Sequence, residues 1–127
     1  MAATIVGIHH VKIPVTDLAK SRAWYERVFG FRMRWEYSDD DGTVRGVAGD
    51  IAGIGVGLRE NPTAASGCAG FDPISFAIAD RAAAEEWVAY LDDIGVEHSP
   101  IGVGPDGWLL DVPDPDGLAI RLYTNAI

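Results

Sequence analysis

Two stretches of this chain obey one grammar, and that repetition limits the possible folds more than any other feature. Ile8 to Phe31, IHHVKIPVTDLAKSRAWYERVFGF, reads as strand, cap, helix and glycine stop. Residues 8 to 15 alternate as a strand does and close on Pro14-Val15. Asp17 can cap a helix, because its carboxylate accepts from the free N–H groups of the first turn. Leu18, Ser21, Tyr25 and Val28 follow at spacings of three and four, giving one packing face bordered by Trp24 and Phe29. Gly30 supplies the left-handed residue that ends the helix. Ile74 to Val96, ISFAIADRAAAEEWVAYLDDIGV, repeats the scheme. Its cap is Asp80, its face Ala84, Trp87, Val88 and Leu91, and its stop Gly95. Asp17 and Asp80 stand 63 residues apart (80 − 17), as do Trp24 and Trp87 (87 − 24). Half of a 127-residue chain is about that length, so one unit is used twice.

The rest of each unit follows from turn chemistry. Phe31 to Tyr37 alternates as a strand and runs into the turn Ser38-Asp39-Asp40-Asp41-Gly42. Thr43 to Gly49 and Ile51 to Leu58 give two more strands about Asp50. The second carries Gly53, Gly55 and Gly57, so it packs few side chains and leaves room beside it. Asn61 to Gly70, small and turn-prone, is the linker between units 1–60 and 71–127. The second unit has a strand over 73–79, a helix over 81–94, a weaker strand over 98–102, and strands over 108–112 and 118–124. Pro113-Asp114-Pro115-Asp116-Gly117 is a tight turn in which aspartate caps backbone amides. The fold class is α+β: two tandem βαβββ units.

Composition excludes several functions. A net charge of −9 opposes binding to nucleic acid and to anionic membrane surfaces. The lone Cys68 forms no intramolecular disulfide and fits a reducing compartment. Neither a signal peptide nor an apolar run of membrane-spanning length is visible. The expectation is a cytoplasmic protein.

HHVKIPVTDLAKSRAWYERVFGF and DVPDPDGLAIRLY, with the 63-residue repeat (80 − 17), resemble the vicinal oxygen chelate superfamily. That superfamily includes glyoxalase I, bleomycin and fosfomycin resistance proteins and extradiol dioxygenases. The resemblance covers essentially the whole chain. It implies curved sheets that form a cup holding the active site, and a homodimer. It also implies four metal-ligand positions. Here they fall at His10, at Pro73, at Arg121 and within Val56 to Leu58. Proline and the 56–58 segment offer no donor, and arginine stays protonated and repels a cation. A single imidazole does not hold a divalent ion against water. The expectation is a site without metal or other cofactor. His9 is no substitute on this reading, because neighbours on a strand face opposite ways.

Alternation also predicts the lining of the cup. Ile8, His10 and Lys12 share one face, as do Pro73, Ser75 and Ala77, and Ala119, Arg121 and Tyr123. Candidate ligand-binding residues are therefore Lys12, Ser75, Arg121 and Tyr123, with His10 as a candidate general base. Trp35, Arg45 and Trp108 are possible walls whose direction the sequence leaves open. A small anionic organic molecule would supply the counter-charge such a site needs. Arg121 has a second reading, as the partner of one of the protein's own carboxylates, Glu36 or Asp111. His10 has one as a hydrogen-bonded structural histidine, and Lys12 as a chain that snorkels to the rim. The functional alternatives are a small-molecule binding protein, a metal-independent isomerase, lyase or hydrolase using His10 and Arg121, and a metal-dependent lyase or dioxygenase.

Overall fold

The computed structural model describes residues 3–125; residues 1–2 and 126–127, the outer ends of the two expected units, lie outside it. The chain divides into two compact units, Met1–Ala64 and Ala65–Ile127. Each is a four-stranded mixed sheet with a helix against one face. The short helix α2 (Pro62–Gly67) occupies much of the segment read as a linker, and Asn61 Oδ1 accepts from Ala64 N in its first turn (3.0 Å).

The first unit runs β1 (Val11–Val15), α1 (Leu18–Phe29), β2 (Arg32–Ser38), β3 (Val44–Ile51) and β4 (Ile54–Glu60), with sheet order β1-β4-β3-β2. β1 is parallel to β4, and the other neighbours are antiparallel. Asp17 caps α1 through Lys20 N at 3.1 Å, and Gly30 ends it at φ 70. The four residues of the expected helix face, Leu18, Ser21, Tyr25 and Val28, are all buried. They meet Ile13, Val15, Val47, Val56 and Leu58, the inward set of the sheet. Burying that apolar face holds the helix to the sheet, since a helix of 12 residues is marginal alone.

The second unit runs β5 (Ile74–Ile78), α3 (Arg81–Asp93), β6 (Gly102–Val103), β7 (Trp108–Pro113) and β8 (Ala119–Thr124), with sheet order β5-β8-β7-β6. Asp80 caps α3 through Ala83 N at 2.9 Å, and Gly95 follows its end at φ 71. Phe76, Leu110, Val112, Ile120 and Leu122 are buried, while Ser75, Ala77, Arg121 and Tyr123 face away from that core, as alternation requires.

Three boundaries differ from the sequence reading. The β3–β4 turn falls at Ala52-Gly53, with Ala52 at φ 50, so Asp50 stays inside β3. Residues 98–101 form no ladder. Ser99 ties them to Asp111 instead, through Ser99 N to Asp111 O and Asp111 N to Ser99 Oγ (both 2.8 Å), and Pro100 has no N–H to continue. β1 starts at Val11, leaving Ile8 to His10 outside the strand. Gly55 lies beside this segment, so close that a Cβ there would come 2.5 Å from the His9 carbonyl oxygen.

Candidate functional site

The first unit holds a cavity of about 750 Å³ on the sheet face turned away from α1. Its floor is a row of cross-strand neighbours: Lys12 opposite Gly57, Gly57 opposite Ala48, and Ala48 opposite Trp35. The next row runs from Arg59 through Gly46 to Tyr37. Residues on adjacent strands in register point the same way, so the side chains of each row share this face. The two inner strands contribute glycine and alanine there. The floor is bare backbone, with walls where the outer strands carry long side chains. The glycine-rich β4 was the legible signal for this space.

His10 and Lys12 stand on the β1 side, and Trp35 and Tyr37 on the β2 side. Lys12 has no hydrogen bond or ion pair among the described residues. Arg34, also in the lining, is held by Asp50 (2.7 Å), and Arg59 faces Asp39 at 3.7 Å. Trp35 Nε1–H donates to the Tyr37 hydroxyl, an i, i+2 contact on one strand face. His9 lines the same cavity as His10, and their Nδ1 atoms are 2.9 Å apart, with one ring donating and the other accepting. Strict alternation, which would have kept His9 out, fails because both precede the strand. Arg34, Tyr37, Asp50 and Arg59 were not singled out from the sequence; Tyr37 could have been, as the same-face neighbour of Trp35.

Ser75, Arg121 and Tyr123 belong to the second unit. Ser75, Arg121 and Asp111 form one cross-strand row. Arg121 forks onto Asp111, Nε to Oδ1 at 2.8 Å and Nη2 to Oδ2 at 3.1 Å, and Nη1 reaches Asp72 at 3.0 Å. The Asp111 hydrogen bonds raise its pKa further, reinforcing the charged guanidinium. Of the two readings of Arg121, the pairing with Asp111 is the one found, while Glu36 faces Arg22 at 3.9 Å. The Tyr123 hydroxyl packs against the turn that precedes β7, accepting from Asp106 N at 3.4 Å. A Cβ on Gly104 would collide with it. Arg45, a suggested wall, is held by Glu60 (2.7 Å) and Asp39 (3.2 Å) and is not in the lining. Trp108 lies under the Arg81 guanidinium, 4.4 Å from the ring centre.

The residues do not fit a family-type metal site. His10 keeps its Nδ1 against His9, Pro73 has no donor, Arg121 is a paired cation, and Val56 and Leu58 are buried apolar side chains about a glycine. Among the described residues, no three His, Cys, Asp or Glu side chains come together as a metal site would require. None of their helices is long and apolar enough to cross a membrane.

The profile of the Glyoxalase/Bleomycin resistance protein/Dioxygenase superfamily matches residues 7–122, and the chain belongs to that family. Solved structures share the fold. A glyoxylase/bleomycin resistance protein/dioxygenase domain from Frankia sp. EAN1pec superposes with a TM-score of 0.74 at 22% identity, over 96% of this chain and 99% of that one. The fosfomycin resistance protein FosX from Listeria monocytogenes gives 0.78 at 21% identity, over 98% and 97%. Lactoylglutathione lyase from Agrobacterium tumefaciens gives 0.73 at 19% identity, over 96% of each chain. No curated protein matches the chain at a significant level.

Proposed function

We propose that this chain is a glyoxalase/bleomycin-resistance-like protein that binds a small anionic organic molecule, without metal, in the glycine-floored cavity of its first unit. The observation that carries the reading is the coincidence of a bare floor with Lys12, a lining cation that no carboxylate neutralises among the described residues. A cation on a concave, partly apolar surface gains most when a ligand brings the counter-charge. His10, Lys12 and Trp35 are the expected ligand contacts. Arg121 and Tyr123 are given structural work by their bonds within the second unit, and Ser75 stays a lesser candidate. A homodimer in the cytoplasm is part of the proposal, to be checked by light scattering and fractionation.

A second reading, metal-independent isomerase, lyase or hydrolase chemistry, is favoured by the His9–His10 contact. One of the two imidazoles accepts a hydrogen bond from the other beside the cavity, which places a candidate general base at its edge. Arg121 has no part in this version, its fork being filled by Asp111 and Asp72.

The test is a thermal-shift screen of small carboxylates and phosphates on wild type and Gly57→Leu. A Cβ at Gly57 meets nothing nearer than 3.8 Å, so the leucine stands in the cavity without displacing the backbone. Acids should raise the melting temperature of wild type and leave Gly57→Leu unmoved. Equal shifts in both would overturn the reading. Turnover of a bound acid, lost in His10→Ala, would favour the enzyme.

A further inference from the structure

This inference deepens the proposed function and rests on it. The geometry points to a planar aromatic acid with a single negative charge as the ligand class, its ring beside Trp35 and its carboxylate at Lys12. The row from Lys12 to Trp35 spans three interstrand spacings, about 14 Å between outer strands. Between them only Gly57 and Ala48 intervene, so nothing larger than a methyl group rises from the floor. A flat ring can approach that backbone closely, where a branched aliphatic body would make poorer contact.

The aromatic wall is an independent observation. Trp35 and Tyr37 are each 51% exposed, side by side on one face. Adjacent and half open to water, the two rings offer a ligand an apolar wall to cover. The Trp35 N–H is already used on the Tyr37 hydroxyl, so the indole has no hydrogen bond to offer a ligand. What remains is its ring, held in one orientation for edge or face contact with another ring.

Charge sets the valence. Arg34 is neutralised by Asp50 at 2.7 Å and Arg59 faces Asp39, which leaves Lys12 as the uncompensated cation of the described lining. One ammonium matches one carboxylate. A phosphate monoester or a dicarboxylate would bring a second charge that no group here offsets, at the cost of desolvating it.

Titration calorimetry with four probes tests this: 2-naphthoate, its saturated decalin counterpart, the uncharged 2-naphthamide and dianionic 2-naphthyl phosphate. On wild type, 2-naphthoate should bind about tenfold tighter than the saturated acid, and tighter than the amide by a margin that shrinks in high salt. It should also outbind the phosphate. Trp35→Leu, an exposed position, should erase the preference for the ring and keep that for the charge; Lys12→Met should do the reverse. If 2-naphthoate fails to bind, or binds no better than the saturated acid or the phosphate, the ligand class is overturned. If 2-naphthoate binds without that selectivity and Gly57→Leu abolishes the binding, or if it fails to bind while other acids still raise the melting temperature of wild type and not of Gly57→Leu, the cavity reading survives. If 2-naphthoate binds equally to wild type and Gly57→Leu, the cavity reading itself has failed.

Discussion

Arg121 and Asp111 face each other across β8 and β7, and the guanidinium grips the carboxylate with two parallel bonds of 2.8 and 3.1 Å. Register places them directly opposite, so neither chain bends to make the contact. A bidentate pair about three-quarters removed from water is stronger than most surface ion pairs. Arg121→Met should therefore cost about 1–2 kcal/mol in urea unfolding, with affinity for a cavity ligand unchanged. Lost affinity at unchanged stability would return Arg121 to the binding site.

His98 predicts a pH dependence. Its Nδ1 faces the Ser99 carbonyl at 2.7 Å and its Nε2 faces Asp92 Oδ1 at 2.6 Å. Both neighbours are acceptors, so only the doubly protonated ring satisfies both. The Ser99 carbonyl first, and Asp92 second, raise its pKa above the usual 6.5. A raised folded value means the contribution is fully present below about pH 6.5 and fades as pH climbs through the folded pKa. Wild type should melt at lower temperature at pH 8 than at pH 6, and His98→Gln should flatten that slope. An unchanged slope in the variant would remove His98 as the cause.

Asp114 is only 5% exposed, and its Oδ1 accepts from Asp116 N and Leu118 N, both at 2.9 Å. Asp114→Ala strands both amides at the start of β8. The expected loss is about 2–3 kcal/mol by urea titration. A loss below about 0.5 kcal/mol would mean that water replaces the carboxylate there.

Ser21 offers the opposite sign. Its hydroxyl is buried in the α1 face with no partner among the described residues. Ser21→Ala removes a stranded polar group and improves helix propensity, so it should stabilise by about 1 kcal/mol. A drop in melting temperature would show that the hydroxyl is bonded in solution.

Metal content gives a further check. Protein purified without chelator, then soaked with nickel, manganese, zinc or ferrous iron, should hold well under one equivalent after desalting. Stoichiometric metal that disappears in His10→Ala would overturn this and restore the family's metal chemistry as the leading reading.

The sequence by itself determined the repeat, both helix caps, the packing face of α1, Ala84 and Leu91 of the α3 face, and the outward or inward sense of β5, β8 and Lys12. Each is a local matter: a carboxylate reaches its own first turn, and alternation follows from the pleat. It also carried the open space, since glycines in β4 remove side chains whichever strand lies beside them. Tertiary structure decided what local rules do not reach. Which carboxylate holds Arg121 depends on strand register, and register put Asp111 opposite and Glu36 in the other unit. That His9 joins His10 in the cavity goes with both residues preceding β1, beside Gly55, whose missing side chain admits the His9 carbonyl, a contact between residues 46 apart (55 − 9). The direction of Trp35 was open until the bulge at Arg34 and the pairing with Ala48 fixed its face. Charge neutralisation at Arg34 by Asp50 and at Arg59 by Asp39, which singles out Lys12 in the described lining, exists only once separate segments meet.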